Sequence, residues 1–161
     1  MKILVMSDSH SALFFMRRAV AAVKPDALVH LGDHFDDGEV IAQENPHLIM
    51  HQVPGNCDAY RMVRYEPEVK CYPVCGVKLF MTHGHKHHVK QTPILLEKAA
   101  REAGAQAALY GHTHIADCRE EDGLWVLNPG SAGVSVGLIE AQDGKIVRCR
   151  ILHLEDLEEF V

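Results

Sequence analysis

Five times in 161 residues a short apolar run breaks off at an aspartate, an asparagine or a histidine. KILVM (2–6) runs into Ser7-Asp8-Ser9-His10, and ALVHL (27–31) runs into Gly32-Asp33. LIMHQV (48–53) leads to Pro54-Gly55-Asn56-Cys57-Asp58, VKLFM (77–81) to Thr82-His83-Gly84-His85, and AALY (107–110) to Gly111-His112-Thr113-His114. Short apolar, β-branched runs read as buried strands, and α/β sheets bind their ligands beyond the carboxyl ends of strands. If the five strands are neighbours and mostly parallel, their polar ends converge on one crevice. Few folds can meet that demand.

The intervening segments narrow the choice. Residues 11–24 read as a helix capped by Ser9 or Ser11 and ended by Pro25. Residues 36–45 give a weaker helix, and Thr92-Pro93 opens another that runs to Glu102, with Gly104 just beyond it. Two further strands are expected over 68–74 and 77–83. The carboxyl-terminal third carries two hairpin patterns turning on Asp122-Gly123 and Asp143-Gly144. An order of β-α-β-α-β followed by hairpins predicts an α/β fold: two packed sheets with helices outside. Residues 1–161 are expected to form a single domain.

Composition excludes several classes. The formal charge is −6 with no Lys/Arg block, so bulk nucleic acid is not the expected partner. The apolar run at the amino terminus is too short for a signal-peptide core, and no stretch approaches a membrane span of about 20 residues. Five cysteines, odd in number and without a C-x-x-C pair, fit a reduced cytoplasm better than a disulfide framework. Twelve histidines are the compositional oddity, four of them between residues 83 and 88.

The side chains at the strand ends form a donor set of oxygen and imidazole: Asp8, His10, Asp33, Asn56, His83, His112 and His114. Seven are too many for one tetrahedral zinc. They suit two divalent ions of higher coordination, with Mn²⁺ placed first and Ni²⁺, Zn²⁺, Fe or Co²⁺ as alternatives.

At these residues the sequence resembles the calcineurin-like metallophosphoesterase superfamily. The motifs are Asp8-x-His10, Gly32-Asp33, Gly55-Asn56-Cys57-Asp58, His83 and Gly111-His112-x-His114. The compact length, THGH (82–85) and NPGS (128–131) are similar to the small single-domain phosphodiesterase branch, whose fold the scaffold subunit of retromer shares. The resemblance implies a two-sheet α/β/β/α sandwich. It also implies one metal on Asp8, His10, Asp33 and His114, with Asp33 bridging to a second on Asn56, His83 and His112. Where many superfamily members have a histidine after Gly-Asn, this chain has Cys57, a weak donor. NPGS also lacks the Pro-Arg that follows it in many relatives.

The function so implied is metal-dependent phosphodiester hydrolysis, with a metal-bridging hydroxide attacking phosphorus in line. The substrate would be a small phosphorylated molecule, and Asp33 and Asn56 would set the centre's spacing and charge. With Cys57 in place of an acid, His85 is the candidate proton donor or phosphate contact; its alternative reading is a solvated loop histidine. Monoester or nucleotide hydrolysis is the near alternative, and a non-catalytic interaction scaffold with the same fold is the distant one. His30 and His51, inside strands, are expected to be packed or to support the ligands. His34 and Asp36 stand beside Gly-Asp either in that role or exposed. His87, His88 and Lys90 are expected to form a mobile rim. Trp125 reads as core or an interface anchor, with homo-oligomerisation a possible use, and the tail EDLEEF (155–160) as a solvated end.

Overall fold

Strand β1 (Lys2–Met6) is apolar on both faces because both are covered: Ile3, Leu4, Val5 and Met6 are fully buried. A computed structural model describes residues 1–58, 63 and 65–160 of the chain, the side chains of 158–160 excepted. It contains α1 (Leu13–Val23), β2 (Ala27–His30), α2 (Phe35–Glu44), β3 (Ile49–Gln52), β4 (Val69–Val74) and β5 (Val77–Thr82). These are followed by α3 (Ile94–Glu102), β6 (Ala107–Leu109), β7 (Asp117–Glu121), β8 (Leu124–Asn128), β9 (Ser135–Gln142) and β10 (Lys145–His153).

The strands form two five-stranded mixed sheets, ordered β10-β9-β1-β2-β3 and β4-β5-β6-β8-β7. In the first, β1, β2 and β3 run parallel; in the second, β5, β6 and β8 do. Period-two alternation then sorts the side chains into layers. Ile3, Val5, Val29 and Leu31 meet Leu79, Met81, Leu109 and Leu127 between the sheets. Leu4, Met6 and Leu28 face Met16, Ala19 and Val20 of α1, with Ile41 of α2. Phe80, Ala108 and Val126 face Leu96 and Ala100 of α3. The result is the expected α/β/β/α sandwich, with the carboxyl ends of β1, β2, β3, β5 and β6 along one rim.

Both Asp-Gly turns are made: Asp122 and Gly123, and Asp143 and Gly144, take φ of 47°, 79°, 52° and 75°, the left-handed pair that a tight hairpin needs. The two hairpins go to different sheets, and where their strands β7 and β10 meet, the Cys118 and Cys149 sulfurs lie 3.3 Å apart.

Three local expectations need correction. Neither Ser9 nor Ser11 caps α1; Ala12 holds that position without a side-chain bond, because Ser9 Oγ is spent on Asp37. Pro93, rather than Thr92, is the N-cap of α3, and Thr92 Oγ1 reaches the Ile94 N–H only at 3.4 Å. The tail is not simply solvated: Leu154–Phe160 is a 3₁₀ segment whose Leu154 and Leu157 are buried beside α1. The tail side chains of 158–160, and Val161, lie outside the described residues. Trp125 is half-buried against the inter-sheet core.

Candidate metal centre

Five of the seven sequence-predicted donors hold left-handed backbone: Asp8 (φ 52°), His10 (43°), Asp33 (58°), His112 (69°) and His114 (61°). Non-glycine residues stay there only where their surroundings over-determine them, and those surroundings are polar. Asp8 Oδ2 accepts from Ser7 Oγ at 2.6 Å and from the His112 N–H at 3.0 Å. Ser131 Oγ donates to the Asp8 carbonyl at 3.0 Å. Asp58, buried, gathers three amides on its carboxylate: Asp33 N–H and Gly55 N–H, each at 2.8 Å, and Phe35 N–H at 3.0 Å. It thereby ties the loop after β2 to the loop after β3.

The glycines in the motifs permit this closeness. A Cβ on Gly32 would lie 2.7 Å from Gly55 Cα, and one on Gly111 would lie 2.7 Å from Asp8 Oδ2. Both are closer than real Cβ contacts come.

Ligand-type atoms of Asp8, His10, Asp33 and His114 all lie within 4.8 Å of one another. Asp8 Oδ1 is buried and has no hydrogen-bond partner among the described residues, yet His114 Nε2 stands 3.1 Å away and His83 Nε2 3.8 Å away. A buried ionised oxygen is costly unless paired. Several donor atoms around one such oxygen, without hydrogen-bond geometry between them, suit a cation in their midst. By this test the residues present fit a divalent metal.

The other three donors differ. His83 Nδ1 lies 2.7 Å from the Leu31 carbonyl, which only accepts, so Nδ1 carries a hydrogen. Nε2 then faces Asn56 Oδ1 at 3.0 Å and Asp33 Oδ2 at 3.5 Å, and a proton or a cation must lie between them. Burial works against a charged His83, but Asp33 and Asp8 outweigh it and raise its pKa. Burial likewise opposes the charge of Asp33, yet His83 and the Cys57 N–H, which donates to Asp33 Oδ1 at 2.9 Å, hold it well below the usual carboxylate range. The His112 ring lies 5.0 Å from that of His83 and is kept neutral by burial and by the charge of His83; Lys90 adds to the effect.

Cys57 is exposed, and burial of its thiol, then Asp33, push its pKa up, away from the thiolate. His85 sits in a 3₁₀ turn, His85–His87, its ring 5.6 Å from His83 and 6.0 Å from His112. His87 lies in that turn with its ring edge-on to Phe80 at 5.9 Å, while His88 and Lys90 are exposed. His85 lines a cavity of about 230 Å³ with Asn56, Glu66 and Glu68, and its buried Nδ1 has no partner among the described residues.

His30 and His51 take the packed, supporting places that the sequence suggests, whereas the roles of Ser9, Asp37 and Asp58 were missed. His30 is fully buried; its Nδ1 accepts from the Gly32 N–H at 3.4 Å, so Nε2 donates to Ser9 Oγ at 3.1 Å. Ser9 Oγ donates in turn to Asp37 Oδ2 at 2.7 Å, which also accepts the Ser11 N–H at 2.8 Å. Burial drives the His30 pKa down to about 4, so the ring is neutral. His51 pairs with the Tyr72 hydroxyl at 2.9 Å, and the His34 ring packs on His10 at 4.9 Å. NPGS braces the loop: Asn128 Nδ2 donates to the Gly111 carbonyl at 3.0 Å and to Thr113 Oγ1 at 2.9 Å.

The profile of the calcineurin-like phosphoesterase superfamily domain matches residues 1–154. A probable metallophosphoesterase of Bacillus subtilis is 33% identical over 132 residues, 81% of this chain and 75% of that protein. A phosphodiesterase of Methanocaldococcus jannaschii is 28% identical over 144 residues, 81% and 83% of the two chains. Among solved structures, a predicted phosphoesterase of Streptococcus pneumoniae superposes with a TM-score of 0.73 at 27% identity, covering 96% of this chain and 90% of that one. Vps29 of Entamoeba histolytica, solved with Zn²⁺, has a TM-score of 0.70 at 21% identity over 96% and 99% of the chains, which is a likeness of fold.

Proposed function

This chain belongs to the calcineurin-like phosphoesterase superfamily, and from that premise we propose that it is a metal-dependent phosphodiesterase. The observation that carries the reading is the buried Asp8 Oδ1, which no hydrogen bond satisfies among the described residues, set amid ligand-type atoms of His10, Asp33 and His114. Vps29 shares the fold and was itself solved with Zn²⁺, so metal binding alone does not separate hydrolase from scaffold, and turnover does. The diester preference follows the name borne by the M. jannaschii relative.

Asp8, His10, Asp33 and His114 would hold one divalent ion, and Asn56, His83 and His112, with Asp33 shared, a second; Mn²⁺ is the first candidate and Ni²⁺, Zn²⁺, Fe and Co²⁺ the others. When bound, such ions lower the pKa of water and screen the charge of a phosphoryl group. Asp33 fixes the spacing, because Asp58 and Cys57 hold its backbone and side chain. Asn56 adds a donor without adding negative charge. Cys57 acts through its backbone N–H on Asp33 and not as an acid. His85, on the cavity side of His83, contacts the phosphate or delivers the proton to the leaving alkoxide. A cytoplasmic setting suits the free thiols, and no helix among the described residues is long and apolar enough to cross a membrane.

The experiment strips the protein, refills it with Mn²⁺, Ni²⁺ or Zn²⁺, and follows a 4-nitrophenyl diester beside its monoester. We expect metal-dependent cleavage favouring the diester, lowered about 10³-fold in Asp33→Asn and about 10²-fold in His85→Ala. No turnover with any ion bound would favour the scaffold.

A further inference from the structure

Beside the donor cluster lies a larger cavity, about 530 Å³, that the hydrolytic machinery does not use. Its walls are built by the two segments that carry candidate donors. Val89 and Lys90 follow His83 and His85; Tyr110, Thr113, Ile115 and Ala116 flank or separate His112 and His114. Its volume is in the range of small-molecule sites and more than twice the 230 Å³ beside His85.

The chemistry of the walls is selective. Val89, Ile115 and Ala116 are apolar, and Ile115 is 71% exposed at the edge of a highly polar centre. The polar atoms are mostly committed. Thr113 Oγ1 accepts from Asn128 Nδ2 at 2.9 Å and from the Ile115 N–H at 3.1 Å. Asp117, at the far edge, pairs with Arg119 at 3.5 Å. Lys90 alone brings a charge without an ion-pair partner among the described residues, and it lines the same cavity as Thr113, which stands between His112 and His114. A sugar rich in hydroxyls would find few free partners here. A flat apolar group attached to an anion would be met at both ends.

The geometry points to this cavity as the seat of one ester arm of the substrate, a ring of aryl or nucleobase size, with Lys90 beside the phosphate. The assignment rests on the phosphodiesterase reading and narrows its substrates to diesters with at least one such arm.

The test compares two inert probes, phenylphosphonate and methylphosphonate, binding to the Zn²⁺-loaded protein by calorimetry. The ring should make the first bind about tenfold tighter. In Ile115→Asp the ratio of the two affinities should fall towards one, whereas Lys90→Met should weaken both by a similar factor and leave the ratio intact. A ratio near one in the parent protein, or a ratio that survives Ile115→Asp, overturns the subsite. Turnover of methyl 4-nitrophenyl phosphate, followed in parallel, separates two failures. Metal-dependent turnover without ring preference removes the subsite alone; neither turnover nor phosphonate binding removes the function and the subsite with it.

Discussion

The two groups of donors at the rim stand in opposite conditions. Asp8, His10, Asp33 and His114 bring their ligand atoms within 4.8 Å, and no hydrogen bond satisfies a buried oxygen among them within the described residues. His83 and Asn56 instead already face each other at 3.0 Å, with the far nitrogen of His83 anchored on Leu31. All four members of the first group hold left-handed backbone, whereas in the second only His112 does. The second can close on itself through a single proton. Rigidity therefore predicts affinity: the proposed first position should fill at lower metal concentration than the second, where the ion must displace the proton that His83 holds.

The sharpest way to break this comparison is Gly111→Ala. Its methyl would press on Ser7 Oγ and Asp8 Oδ2 and spoil the first group more than the second, whose His112 follows Gly111 and donates its N–H to Asp8. Calorimetric titration should show the tighter binding step weakened about 10²-fold with the second step little changed; equal weakening of both would show that the groups are not separable.

A smaller effect tests the support beneath the first group. The folded pKa of His30, about 4, lies below its unfolded value near 6.5. The unfolded chain therefore takes up this proton first. Its contribution to stability is complete above pH 6.5 and drains away as pH falls towards 4. Between pH 7 and pH 5 the metal-free protein should lose about 2 kcal/mol from this group. Urea unfolding at the two pH values should show that loss shrinking in His30→Gln; an identical pH slope in the variant would mean that His30 is not buried neutral.

The smallest effect is expected from Asn56→Ala, which removes a neutral donor from the group that can close on itself. The weaker step should lose about tenfold and the tighter step nothing. A loss at the tighter step would put Asn56 in the wrong group.

The layers and the convergence of five strand ends were legible in the sequence because both depend on period-two apolar runs and on where these stop. The candidate donors stand out for the same reason, since each lies in the segment that follows a strand, and four of them are brought together. His30 and His51 could be read as supports from their places inside strands, but the supporting carboxylates could not. Asp37 and Asp58 reach across to loops 25 or more residues away, and such contacts leave no local pattern. Ser9 looked like a helix cap because its position is right for one; only the fold shows that a buried Asp37 competes for its hydroxyl. The tail, read as solvated from its charges, buries Leu154 and Leu157 at a spacing too short to reveal a period.

The donors come from both sheets: Asp8, His10, Asp33 and Asn56 follow strands of one, His83, His112 and His114 strands of the other. An ion coordinated by both would act as a rivet at the rim of the sandwich. Separating the sheets there would break coordination as well as packing, so partial openings confined to one layer would give way to unfolding of the whole. The amides of β2 and β6, in different sheets, should then exchange with solvent at one common rate when the centre is loaded and at two distinct rates when it is stripped.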